Sequence, residues 1–109
     1  MMTTKKPGNP VRGSTTGRPI MVLMDVLGQR WALRILWELR GERLTFRQLQ
    51  ERCDRISPTV LNRRLKELRE LDLIDHDGNG FGFTDQGEEL GQHLLALNDY
   101  AQRWADRAQ

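Results

Sequence analysis

The sequence predicts a mainly α domain with one small β-hairpin, arranged as a winged helix-turn-helix. Three observations predict it. Ser57–Leu71 (SPTVLNRRLKELREL) has a start signal, an apolar stripe and a basic outer face. The stretch before it, Thr45–Ile56, reads as a short helix and a turn. The stretch after it reads as a hairpin: Leu73–His76 and Phe81–Thr84 are short strands joined by Asp77-Gly78-Asn79-Gly80, a run composed for positive φ.

The 109 residues make one domain the expectation, with a small core. Residues 1–19 are rich in Gly, Pro, Thr and Lys/Arg, and Val11 is their one branched aliphatic. They are expected to form a disordered basic arm, since they cannot bury enough apolar surface to order themselves. Such an arm is either an inert tail or a tracker of phosphates and minor groove. Residues 20–109 are the folded part.

Ile20–Leu27 is a short helix, apolar nearly all round, that Gly28 ends. Such a helix must be covered on more than one side. Arg30–Arg40 is the next helix. Its main stripe is Trp31, Ile35, Leu36 and Leu39, while Leu33 and Trp37 lie on the other side. Two apolar faces mean either a central helix or one face given to a partner. Gly41 closes it, and Glu42–Leu44 is a candidate edge strand. Thr45 with Gln48 three residues later forms a capping box, and Phe46, Leu49 and Cys53 share one face of a two-turn helix. Asp54–Ile56 makes the turn. Ser57 caps the following helix and Pro58 takes its first position, where a missing N–H costs nothing. Thr84 caps a long last helix over residues 85–107.

Charge is distributed unevenly. The net charge is only +2, yet residues 1–19 carry +4, residues 30–69 carry +6 and residues 70–109 carry −7. The positive block coincides with the helix-turn-helix, which is the footprint of a polyanion bound on one face. The chain's one cysteine excludes an internal disulfide and fits a reducing cytoplasm. No apolar run approaches the roughly 20 residues of a membrane span, and the basic N-terminus has no apolar signal-peptide core.

On a helical wheel Val60, Leu61, Leu65, Leu68 and Leu71 group on one side of Ser57–Leu71. Thr59, Asn62, Arg63 and Lys66 group on the other, mostly in the first two turns. Recognition helices enter the major groove N-terminus first. Arg can donate twice to guanine, and Asn can bond adenine in the same bidentate way. Thr59 suits a phosphate or a thymine methyl. Arg64 and Arg69 flank this face and are expected at phosphates. The same end holds Ser57, and the preceding helix starts with Thr45 and Arg47, which complete the expected DNA-binding set. An ordinary amphipathic helix would share the wheel, but not the capped helix, turn and hairpin around it. The hairpin tip carries no positive side chain, so wing contact would fall to backbone N–H groups.

Leu90, Leu94, Leu97, Ala101 and Trp104 form a heptad-like seam along the last helix. Together with Met21, Leu23, Met24 and Leu27 of the first helix it offers more apolar surface than a small core needs. A homodimer joined through the first and last helices is expected; the alternative is that both helices cover the chain's own core. A dimer would set two recognition helices about one DNA turn, roughly 34 Å, apart and favour inverted-repeat operators.

At this point the chain resembles the HxlR-type family of winged helix-turn-helix transcriptional regulators. The resemblance rests on Gly28-x-x-Trp31 running into Leu33-Arg34-Ile35-Leu36-x-x-Leu39, on Phe46-x-x-Leu49, and on Ile56-Ser57 followed by Val60-Leu61-x-x-Arg64-Leu65-Lys66-Glu67-Leu68. Leu73-Ile74 and Phe83-Thr84-x-x-Gly87-x-x-Leu90, ending at Trp104, complete it. It covers residues 20–105 and implies cytoplasmic, dimeric, promoter-binding repressors or activators, often answering to electrophiles, oxidants or other small molecules. The chain departs from the family in three places. It lacks the sensing Cys that thiol-responsive members carry ahead of the first helix. Asp72 stands where the family usually has Gly. The wing is short and without Pro.

Cys53 shares the apolar face of Phe46 and Leu49 and reads as a small buried hydrophobe, with Arg52 and Arg55 as the argument for a reactive thiolate. Met21 and Met24 read as packing residues. His76 and His93 are isolated, so no metal is expected, and no cofactor site is discernible. No nucleophile stands beside a base, which argues against an enzyme. A second reading remains: a winged helix serving as a protein-interaction module with weak or lost DNA binding. Asn62, Arg63 and Lys66 argue against it, because protein interfaces are depleted in Lys and richer in aromatics.

Overall fold

The computed structural model describes residues 18–108, and five helices and one hairpin follow in order along them. These are α1 (Pro19–Leu27), α2 (Ala32–Leu39), α3 (Phe46–Arg52), α4 (Pro58–Glu70), β1 (Ile74–Asp77), β2 (Gly80–Phe83) and α5 (Asp85–Arg107). This is the winged helix-turn-helix the sequence predicts. The basic arm falls almost wholly outside the described residues, but Pro19, grouped with it above, is the first residue of α1.

α2 lies at the centre. Ala32, Ile35, Leu36 and Leu39 are buried in a core that also takes Val26, Leu44, Leu49, Cys53, Ile56, Leu61, Leu65, Leu68, Leu73 and Ile74. Its start differs from the expectation of Arg30. The Arg30 carbonyl lies ahead of the helix and accepts from Arg64 Nε at 2.8 Å. Trp31 then turns the chain with φ 79°, and its carbonyl accepts the first helical bond, from Ile35 N. The second apolar face is real: Leu33 is exposed, and it lines a cleft with Trp37 and with Leu94, Leu97 and Ala101 of α5.

The helix-turn-helix is built from caps. Thr45 Oγ1 accepts from Gln48 N at 3.1 Å while Gln48 Oε1 accepts from Thr45 N at 2.9 Å, the reciprocal pair of a capping box. Asp54 and Arg55 both take left-handed φ, 55° and 59°, to reverse the chain. Arg55 N bonds Gln50 O at 2.8 Å, and the Gln50 side chain bonds Ile56 O at 3.1 Å, so the turn is closed from both sides. Arg34 of α2 reaches across to the Arg52 carbonyl at 2.6 Å and holds the end of α3 in place.

The hairpin pairs Ile74 with Phe83 and Asp77 with Gly80, so the loop is the two residues Gly78 and Asn79. Of the four turn residues expected at positive φ, only Gly80 has it, at 111°. The shift has a cause at each end. Asp77 Oδ1 accepts from Asn79 N at 2.7 Å, closing the turn locally. At the other end Leu73 and Thr84 keep the same register, the Leu73 carbonyl accepting from Thr84 N at 3.2 Å, but lie just beyond the strands. The expected edge strand Glu42–Leu44 contracts to one bridge, Leu44 against Phe81. α5 then packs on the hairpin through Gly87 and Gly91, which are buried.

Candidate nucleic-acid interface

α4 starts where a major-groove helix needs its reading residues. Ser57 Oγ accepts from Val60 N at 3.1 Å, and Pro58 fills the first position. The helix buries Leu61, Leu65 and Leu68. That burial fixes its rotation, and the opposite side is left to solvent. Thr59, Asn62, Arg63, Lys66 and Arg69 are all exposed there. Arg63 and Arg69 form no ion pair among the described residues, so their donors are available to a ligand.

Arg64 is a correction. It was expected to flank this face at phosphates, but it is turned inward and only 9% exposed. Its Nε donates to the Arg30 carbonyl and its Nη1 pairs with Glu67 Oε1 at 2.8 Å. Position 64 is one helical turn from Leu61 and Leu68, which places it at the margin of the buried stripe. There a long cation can satisfy a carbonyl of the neighbouring connection.

Thr45 and Arg47 sit at the start of α3, both exposed. The Thr45 hydroxyl is already an acceptor for its own helix, while Arg47 is extended, with Glu51 Oε1 3.8 Å from its Nε. Asn62, Lys66 and Arg69 line one side of a cleft whose other side is Phe81 of β2. The outward face of α4 and the hairpin therefore border one surface.

Sequence reasoning missed Arg43. Its guanidinium lies across the hairpin, paired with Asp75 and, at 3.0 Å, with Asp77 Oδ1. The hydrogen bond to Asp75 outweighs partial desolvation, so the group holds its proton more firmly than an ordinary arginine. The only sequence signal was the alternation Gly80-Phe81-Gly82-Phe83, which leaves one face of β2 without side chains.

Cys53 is fully buried at the end of α3. Burial pushes its thiol pKa up, and the nearby Arg34 only partly opposes this. Among the described residues no group of three or more His, Cys, Asp or Glu could hold a metal, and no helix is long and apolar enough to cross a membrane.

The apolar residues assigned to an interface divide in two. Leu94 is buried in the chain's own core, and Leu23, Leu27 and Leu90 pack half-buried against it; for these four the monomer core is the first use. Met21 is half-buried, whereas Met24, Leu97, Ala101 and Trp104 are exposed, Trp104 by 62%. Ile20, Leu33, Leu95 and Tyr100 join them as exposed large apolar side chains that the sequence reading did not assign to that surface.

A capped helix-turn-helix with an outward cationic helix and a trailing hairpin defines a DNA-binding winged-helix domain of the transcription-regulator class. The particular family follows from comparison: the model of the HxlR-like helix-turn-helix family matches residues 26–109, and the chain belongs to that family. It is 27% identical over 90 residues to YvaP of Bacillus subtilis, named an uncharacterized HTH-type transcriptional regulator, with 76% of this chain and 83% of that one covered. It is 24% identical over 90 residues to MJ0925 of Methanocaldococcus jannaschii, named in the same terms, covering 79% and 85%. Among solved structures it resembles quinone-bound YodB of B. subtilis, with TM-score 0.67 and 27% identity over 81% of this chain and 96% of that chain.

Proposed function

We propose that the protein is a homodimeric, cytoplasmic regulator that reads an inverted-repeat operator with the outward face of α4 and answers to a small-molecule or stress signal. The observation that carries this reading is the N-terminal part of α4. Thr59, Asn62, Arg63 and Lys66 stand exposed on one face of a helix whose other face is locked in the core. The partial positive charge at that helix end adds to the attraction for phosphate.

Dimerisation is supported by the outer half of α5. Beyond Leu94 it buries nothing, yet it carries Leu97, Tyr100, Ala101 and Trp104 at a spacing that makes one stripe. Met24 and Ile20 extend exposed apolar surface onto α1. The exposed stripe that ends at Trp104 supports a contact surface on this helix.

Effector response is supported by the family and by the quinone-bound neighbour. A covalent adduct at Cys53 is disfavoured, because a buried thiol with a raised pKa is a poor nucleophile. A cleft of about 360 Å³ between α1, the end of α4 and α5, lined by Val22, Leu23, Leu73, Leu90, Glu89 and His93, suits non-covalent binding of a small apolar molecule.

Selection of bound duplexes from a random pool, followed by a salt series on the winners, tests the reading. It predicts a two-fold-symmetric sequence and log K falling with log[salt] at about −0.9 per phosphate contacted. A flat salt dependence with no selected sequence contradicts it.

A further inference from the structure

The hairpin has two unlike faces. Ile74, His76, Phe81 and Phe83 alternate onto one, and the His76 and Phe81 rings meet at a tilt of 55° with centroids 4.5 Å apart. Asp75, Asp77, Gly80 and Gly82 alternate onto the other. Two carboxylates two positions apart on one strand would make this wing negative, beside a helix face that must approach phosphates. Arg43 lies over that pair. It bonds both carboxylates and also donates to the Gly80 carbonyl, from Nη2 at 3.0 Å and from Nε at 3.3 Å.

The seat for Arg43 is built. The Leu44–Phe81 bridge sets its backbone at the hairpin edge. A Cβ on Gly82 would come within 2.6 Å of Nη1 and 2.8 Å of Cζ, so a larger residue there would push the guanidinium aside. The Asp77 oxygen paired with Nε is also the acceptor for Asn79 N, so Arg43 anchors the carboxylate that shapes the turn. With Nε and Nη2 engaged and its side chain only 28% exposed, Arg43 is poorly placed to grip a phosphate itself.

Resting on the reading of α4 as the DNA-reading helix, we propose that Arg43 is a positioning residue for the wing: it fixes the two-residue turn and cancels part of the Asp75–Asp77 charge, so that the hairpin can lie beside the phosphate backbone. Phe81 shares a cleft with Asn62, Lys66 and Arg69. Asp75 and Asp77 lie on the other face of the same hairpin, so their charge acts on phosphates beside the wing through the field and not by contact, over a Debye length of about 10 Å at 0.1 M. The loss or gain of one wing charge is read by DNA even without direct contact.

The test measures affinity for a duplex selected by the wild-type protein from a random pool, across a salt series, with urea melts of each variant. Arg43→Gln is expected to weaken binding about tenfold at low salt. Adding Asp75→Asn and Asp77→Asn to it is expected to recover affinity to within about threefold of wild type, which a merely structural role would not do. With Arg43 kept, the Asp75→Asn/Asp77→Asn pair is expected to bind more tightly than wild type, and this arm decides the matter if Arg43→Gln fails to fold. Wild-type affinity for Arg43→Gln would overturn the proposal. So would unchanged or weaker binding by the Asn pair, or a loss that the Asn pair leaves unrestored while the salt slope falls by about 0.9, the mark of a direct phosphate contact. If the wild-type protein selects no sequence at all, the reading of α4 falls first and takes this proposal with it.

Discussion

Two adjacent arginines of α4 have opposite fates, and helix geometry decides which is which. Arg63 points to solvent, while Arg64, one residue and about 100° further round, is turned onto the Arg30 carbonyl and Glu67. A wheel drawn from sequence puts Arg63 on the polar face and Arg64 on the apolar side between Leu68 and Leu71, but it cannot show that a carbonyl waits there for a long cation to bond. Arg64→Ala is therefore expected to lower stability by about 1–3 kcal/mol in urea denaturation, because it strips a part-buried carbonyl and Glu67 of their partner. Arg63→Ala is expected to stay within about 0.5 kcal/mol of wild type. Equal effects would mean that position 64 is no more structural than position 63. The exposure of the residues proposed to read DNA was legible in the sequence, since it follows directly from which residues the core takes. Arg43 was not, since its role depends on a contact 37 residues away, at Gly80.

At the level of elements, start signals were the most reliable information in the sequence. Thr45, Ser57 and Thr84 each cap the helix they precede, with side chains accepting from Gln48, Val60 and Gly87. A cap is a local event, settled within three residues, so it can be read without the fold. The hairpin register was legible, His76 facing Phe81 as the strands imply, and only the strand ends lie one residue off; the start of α2 was not, because it depends on the left-handed Trp31 and on Arg64 reaching the Arg30 carbonyl from 34 residues away. The seating of α5 on the hairpin depends on Gly87, where a Cβ would sit 1.9 Å from the Leu73 carbonyl oxygen. Gly87→Ala should cost roughly 1–3 kcal/mol or more by overpacking, read from the denaturation midpoint. Gly78→Ala at the open hairpin tip has nothing within 4 Å of the new methyl and should change little. A neutral Gly87→Ala would show that α5 and the hairpin are not packed this tightly.

For the whole molecule, α5 is the element that exceeds what one domain needs. Its 23 residues span about 35 Å, yet its last buried residue is Leu94. A heptad-like seam in the sequence cannot separate core from interface, so Leu94 and Leu97 looked alike until the core was placed. On the dimer reading, sedimentation should give twice 12.7 kDa, and Trp104→Glu should shift it toward monomer while far-ultraviolet circular dichroism stays unchanged. A wild-type monomer at micromolar concentration would contradict the dimer. Pairing two domains would then double the reading surface, which makes α4 the part on which everything else depends. The most direct measurement is the base preference and affinity of Arg63→Ala set beside Arg69→Ala on one selected operator. The account predicts that Arg63→Ala costs about 1–3 kcal/mol and relaxes preference at one base pair per half-site, whereas Arg69→Ala weakens all sequences alike. Uniform loss in both variants, with base preference intact, would contradict the claim that this face of α4 reads the sequence.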